Sequence, residues 1–156
     1  MTDEHRDPNG GRSPHQDLKN LARRIIIEVI DGADLDLADE LIAADYVEHR
    51  PTDETAPGVA GFKKWVRLVH DAFPDWRHTI EDVLAEGDKV MVRNTVFGTH
   101  RGEFMGIAPT GKQIQQRGFD LFRIAGGKVV EHWGEYDWFG LYQQLGVVPE
   151  IGKEKG

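Results

Sequence analysis

The stretch Gln113-Ile-Gln-Gln-Arg-Gly-Phe-Asp-Leu-Phe-Arg-Ile124, followed by Ala125-Gly-Gly127 and Lys128-Val-Val-Glu-His-Trp-Gly-Glu-Tyr-Asp137, decides the fold. A side-chain period of two gives the first segment two faces. Ile114, Gln116, Gly118, Asp120, Phe122 and Ile124 share one, and Gln115, Arg117, Phe119, Leu121 and Arg123 share the other. Both faces carry large apolar groups, so neither is simply solvated. The even-numbered face is expected to be concave and packed on helices. The Phe119 and Leu121 face then calls for a second protein surface, and a homodimer packed sheet to sheet is the expectation. Ala125-Gly126-Gly127 suits a three-residue hairpin loop closed by a left-handed glycine. That loop pairs Ile124 with Lys128 and sets Asp120 directly opposite His132, whereas a two-residue turn sets Trp133 opposite Asp120.

Working outward, Lys89–Thr99 alternates as a strand, and Glu86-Gly87-Asp88 marks a hairpin back to Arg77–Ala85. Upstream of Pro74 the texture is helical. Leu18, Leu21, Ala22, Ile25 and Val29 recur at helical spacing up to Asp31-Gly32. Leu37, Leu41 and Ile42 form the stripe of a shorter helix over about 34–44, after which 45–50 reads as a short extended piece. Phe62, Trp65, Val66, Val69 and Phe73 line a third helix that Pro74 ends. A short C-terminal helix over about 138–145 completes the series. Helices followed by a meander of four strands make an α+β domain: three N-terminal helices in the concave face of a strongly curved antiparallel sheet, with room for a pocket. The single domain is expected over 16–148, with a loose tail over 1–15 and a flexible end over 149–156.

Composition removes several classes of function. The net charge of −8, with Lys and Arg spread thinly, excludes a phosphate-backbone partner. No cysteine is present, so disulfides, thiolate metal sites and a cysteine nucleophile are excluded. Apolar runs such as Ile25–Ile27 are far short of a bilayer span, and the polar beginning lacks a signal peptide's apolar core; a cytoplasmic protein is expected. The histidines show no metal-binding spacing, and no Gly-x-Ser-x-Gly elbow occurs, so no metal or cofactor is expected.

Asp120 with His132 forms the candidate acid/base pair: a carboxylate orients an imidazole, or acts as base with the imidazole as donor. The plainer alternative is a buried pair that satisfies both polar groups. Further candidates for the substrate pocket are His49, Arg93 as a fork of donors for a carbonyl or carboxylate, Trp65 and Trp138 as aromatic walls, and Glu135 and Asp137 along the last strand. A loop histidine, an arginine paired across the sheet and ordinary core tryptophans are the competing readings of these residues.

The segments Gly98-Thr-His-Arg-Gly102, Phe104-Met-Gly-Ile-Ala-Pro-Thr-Gly-Lys112 and Gly127-Lys-Val-Val-Glu-His-Trp133, with Phe73-Pro-Asp75 before and Gln144-Leu-Gly146 after, resemble the SnoaL-like polyketide cyclases of the nuclear-transport-factor-2-like superfamily. The likeness runs from about Leu18 to Gly146. It implies a small aromatic or polycyclic carbonyl ligand and cofactor-free closure of a ring by intramolecular aldol condensation. It also implies a cone-shaped, cystatin-like α+β barrel, a polar residue at the pocket entrance, where His49 stands, an acid/base Asp two positions after His132, and a His at the place of Asp120. Here Gly134 stands at the first position and Asp120 at the second. Two readings follow: cofactor-free acid/base chemistry rearranged around Asp120 and His132 (cyclisation, isomerisation or a related reaction), or a non-catalytic ligand-binding or dimeric assembly domain that has lost the cyclase carboxylate. A hydroxylase-like relative is a third.

Overall fold

The computed structural model describes residues 13–49, 57–148 and 152. The expected tail falls almost wholly outside these residues, as does most of the expected flexible end. Four helices pack on one five-stranded curled sheet. Helix α1 (Pro14–Arg24) starts two residues earlier than the sequence reading places it, because Ser13 caps it, its Oγ accepting from Gln16 N at 3.2 Å, and Pro14 takes the first turn. The rod continues as a π-helical turn, Ile25–Asp31, and stops at Gly32. Helix α2 (Leu35–Leu41) is capped by Asp34, whose Oδ1 accepts from Leu37 N at 3.0 Å. Helix α3 (Gly58–Ala72) ends at Phe73, and α4 (Trp138–Leu145) ends at a left-handed Gly146.

The strands are β1 (Ile42–Glu48), β2 (Arg77–Glu86), β3 (Lys89–Thr99), β4 (Gln113–Ala125) and β5 (Lys128–Tyr136), in the order β1-β5-β4-β3-β2. The four-stranded meander is as expected. The extended piece expected over 45–50 is the end of β1; what the sequence reading lacks is its earlier start and its pairing, since β1 adds to the free edge of β5 in parallel and carries Glu48 beside His132. Helix α2 correspondingly ends at Leu41 and not near residue 44.

Every even-numbered residue from Ile114 to Ile124 is buried, so this face is the concave one. The core runs from Ile25, Ile26 and Val29 through Val66 and Val69 to Val90, Val92 and Phe122. On the convex face Phe119 and Leu84 remain 46% and 59% exposed.

The β4–β5 hairpin corrects the expected register. Ala125 pairs with Lys128, so the turn is the two residues Gly126-Gly127, with φ of 59° and 74°. Such a pair of left-handed residues is the type I′ turn, whose twist matches that of the strands. A bulge follows, because Ile124 pairs with Val129 and Arg123 with Glu131, leaving Val130 as the extra residue. Asp120 therefore faces Gly134 and Phe122 faces His132. The bulge restores the parity that a two-residue turn alone would break, and His132 stays on the concave face one pair along from Asp120.

Candidate active site

Between the helices and the concave face lies a cavity of about 720 Å³, within the range of small-molecule sites. Ile30, Tyr46, Phe62, Trp65, Phe122 and Trp138 contribute much of its wall. Its polar region is a connected network on β1, β3, β4 and β5. His132 hydrogen-bonds Asp120 Oδ1 through Nε2 at 2.8 Å and Glu48 Oε2 through Nδ1 at 2.6 Å. Asp120 Oδ2 accepts from Asn94 Nδ2 at 2.7 Å and from the Tyr136 hydroxyl at 2.6 Å. Glu48 Oε2 also accepts from the Tyr46 hydroxyl at 2.6 Å.

Two glycines make this arrangement possible. A Cβ on Gly134 would lie 3.0 Å from His132 Cε1 and 3.5 Å from Asp120 Oδ1; the imidazole therefore lies across Gly134 to reach Asp120. A Cβ on Gly118 would lie 2.2 Å from Tyr136 Cδ1, so the tyrosine ring covers its own cross-strand partner. Phe122 stacks on His132 at 4.9 Å between ring centres and holds the imidazole from the other side.

The electrostatics follow from this geometry. Burial works against a charged His132, but the hydrogen bonds to Asp120 and Glu48, and the charges of both, outweigh it and raise its pKa to about 9. Burial likewise opposes ionisation of Asp120, yet hydrogen bonds from His132 and Tyr136 and the nearby positive charge hold it below the usual carboxylate range. Burial first, and then adjacent carboxylates, push the Tyr46 and Tyr136 hydroxyls up, so both remain protonated donors. The resting site is an imidazolium held between two carboxylates.

The structure divides the remaining candidates. Trp65 and Trp138 line the cavity. His49 does not: its ring stacks on Trp133 at 4.3 Å and 2°, and Nε2 meets Glu131 at 2.8 Å, away from the cavity. One residue along a strand changes the face, and Glu48 takes the inward position. Arg93 is on the convex face, its Nε donating to Asp82 at 2.6 Å across the sheet. Glu135 lies on the same outward side opposite Phe119, and is exposed. Asp137 caps α4, its Oδ1 accepting from Gly140 N at 2.8 Å. The sequence reading missed Glu48, Tyr46, Asn94 and Tyr136. For Asn94 and Tyr136 a signal exists: each is a polar group on the inward parity of its strand. Among the described residues, no three His, Asp or Glu side chains converge so as to hold a metal ion.

The model of the SnoaL-like polyketide cyclases matches residues 20–145, most of the chain. The chain belongs to this family. An aklanonic acid methyl ester cyclase of Streptomyces peucetius is 29% identical over 133 residues, covering 81% of this chain and 89% of its own. Among solved structures, TsrD from Streptomyces laurentii superposes with a TM-score of 0.79 at 26% identity, covering 88% of this chain and all of its own. AclR, a candidate hydroxylase of Streptomyces galilaeus, does so with a TM-score of 0.74 at 31% identity, covering 87% and 89%. Within this SnoaL-like chain the pair Asp120 and Gly134 face each other directly. The carboxylate that the family resemblance places on β5 is met here by one on β4, pointing into the same space.

Proposed function

We propose that this SnoaL-like protein is a cofactor-free enzyme that moves a proton at carbon in a hydrophobic carbonyl compound, with Asp120 and His132 as the reacting pair. The observation that carries the reading is the charged cluster of Asp120, His132 and Glu48 set into the largely apolar wall of a cavity large enough for a polycyclic ligand.

Asp120 Oδ2 accepts two hydrogen bonds and Oδ1 one, which leaves Oδ1 a lone pair for a substrate proton. A carboxylate held below its usual range is a weak base, so the carbon it deprotonates must be acidified, as between two carbonyls. The C–H bond breaks, Asp120 becomes neutral, and the charge passes to the enolate. The His132 imidazolium, still paired with Glu48, then stands beside that negative charge in a water-poor site and stabilises it. If the enolate carbon attacks a second carbonyl of the same molecule, a ring closes and the new alkoxide takes the proton back from Asp120. If the enolate is instead reprotonated elsewhere, the result is isomerisation.

The assay is exchange of the α-proton of aklanonic acid methyl ester, or of a simpler β-dicarbonyl aromatic ester, in deuterated buffer, with product analysis alongside. Wild-type protein should accelerate exchange, and Asp120→Asn should lose that rate by a factor of 10² or more while ligand-induced thermal stabilisation persists. Equal exchange in both proteins refutes the assignment. Binding without any exchange in the wild type would support the second reading, a ligand-binding domain, which Gly134 in the cyclase carboxylate's position favours. For partners, exposed Phe119 and Leu84 support a second copy on the convex face. Light scattering should then give a dimer that Phe119→Lys converts to monomer, and a monomeric wild type removes the idea.

A further inference from the structure

A second histidine–carboxylate pair, Asp31 with His78, brings its histidine to the wall of the same cavity from different elements. Asp31 is the last residue of the π-helical turn, where Gly32 N reaches back to the Ile27 carbonyl at 3.1 Å and the Ile30 carbonyl receives His70 Nε2 at 2.7 Å. A carboxylate there meets the negative end of the helix dipole, an unfavourable place without a partner. Its partner is His78 on β2, whose backbone N–H donates to Asp31 Oδ2 at 2.8 Å and whose Nδ1 meets Oδ1 at 2.5 Å. This two-point grip fixes the ring with Nδ1 turned to Asp31, which leaves Nε2 as the nitrogen that can meet a ligand.

The His78 side chain is only 2% exposed, yet among the described residues Nε2 has no hydrogen-bond partner, and the residue lines the cavity wall. Nε2 is therefore an edge open to the cavity and not a buried orphan, and π-helical turns recur at functional sites. His78 pairs with Val96 and Val96 with Gln116, four residues from Asp120 along β4. The two stations are thus separated by two strands, roughly 10 Å, across the sheet and by roughly 13 Å along it before the curl draws them together.

We propose that Asp31 and His78 form a second polar station, in which His78 Nε2 accepts a hydrogen bond from a phenolic or enolic hydroxyl at the end of the ligand remote from Asp120. Asp31 is its positioning residue. The inference rests on the reading of the cavity as a ligand site, but not on catalysis at Asp120. It narrows the ligand to an elongated, ring-fused compound with a reactive carbonyl at one end and a free hydroxyl donor at the other.

The test compares 2-hydroxyanthraquinone with 2-methoxyanthraquinone, ligands of similar shape that differ in the donor, by quenching of tryptophan fluorescence. Wild-type protein should prefer the hydroxyl compound by on the order of fivefold, the worth of one net hydrogen bond. The preference should vanish in His78→Phe, which binds the two compounds alike. It should also shrink in Asp31→Asn, which touches no ligand and covers the case in which His78→Phe fails to fold. Asp120→Asn should keep the preference, and that separates failure of this station from failure of the proposed chemistry. Equal affinities in the wild type, or a preference that survives both His78→Phe and Asp31→Asn, overturn the proposal. Failure of both compounds to bind the wild type overturns it together with the ligand-site reading.

Discussion

Replacing Gly134 with alanine inserts one methyl group at the point where the imidazole crosses β5. The new Cβ would sit 3.0 Å from His132 Cε1 and 3.3 Å from Nε2, so the ring must retreat by a few tenths of an ångström. Phe122 stacks on that ring, and its two nitrogens are held at 2.6 and 2.8 Å, so the Nε2 bond to Asp120 yields most directly. Weakening one charge-assisted hydrogen bond costs about 1.5–3 kcal/mol. Exchanging glycine for alanine returns about 0.4–1 kcal/mol through the unfolded chain. The net loss is about 1–2 kcal/mol, a fall in Tm of roughly 2–8 °C for a chain of this size. The more specific readout is the titration of His132 followed by NMR of the ring protons. Its pKa, raised to about 9 in the native site, should fall by about one unit or more, since one unit corresponds to about 1.4 kcal/mol. An unchanged His132 midpoint in Gly134→Ala would show that the glycine is not what admits the ring, and the account of the site would be wrong.

Two further outcomes follow from the same geometry. His132 is raised above its unfolded value near 6.5, so its contribution to stability is complete below about pH 6.5 and is lost as pH rises through about 9. Asp120 is depressed, so its contribution is present above about pH 4 and is lost as pH falls below that. Thermal stability should therefore plateau between about pH 4 and 6.5 and decline toward pH 9.5, and His132→Gln should flatten the alkaline decline; an unaltered decline counts against the ion triad. His49→Ala should cost on the order of 1 kcal/mol through the lost stack on Trp133 and leave ligand affinity unchanged, whereas a tenfold loss of affinity would put His49 back at the pocket.

Local chemistry made the meander readable. Glu86-Gly87-Asp88 and Gly126-Gly127 mark the turns, and the alternation from Gln113 to Ile124 names the buried face, so Asp120 is legible as an inward carboxylate. The contact between Asp120 and His132 was anticipated from the wrong register, with two errors of one residue each: a turn shorter by one, and the Val130 bulge. Gly126-Gly127 is itself the signature of the shorter turn, whereas the bulge has no distinctive residue to announce it. β1 was harder, because its partner is a distant parallel strand and no turn links them. Glu48 and Tyr46 belong to the site only once that pairing exists, which is why His49, their neighbour, was taken in their place. The two glycines that admit the rings read in sequence as ordinary strand interruptions; their purpose appears only when Tyr136 and His132 lie across them.

The bulge at Val130 makes the site depend on a count as well as on chemistry. Removing that one residue would preserve the turn and every other side chain of β5, yet would send His132 and Tyr136 to the convex side and bring Trp133 inward. Substitutions along the hairpin can therefore accumulate with graded effects, while single insertions or deletions between Ala125 and Glu131 act as a shutter on the whole polar wall. Length variation in this hairpin is compatible with a working site only in steps of two.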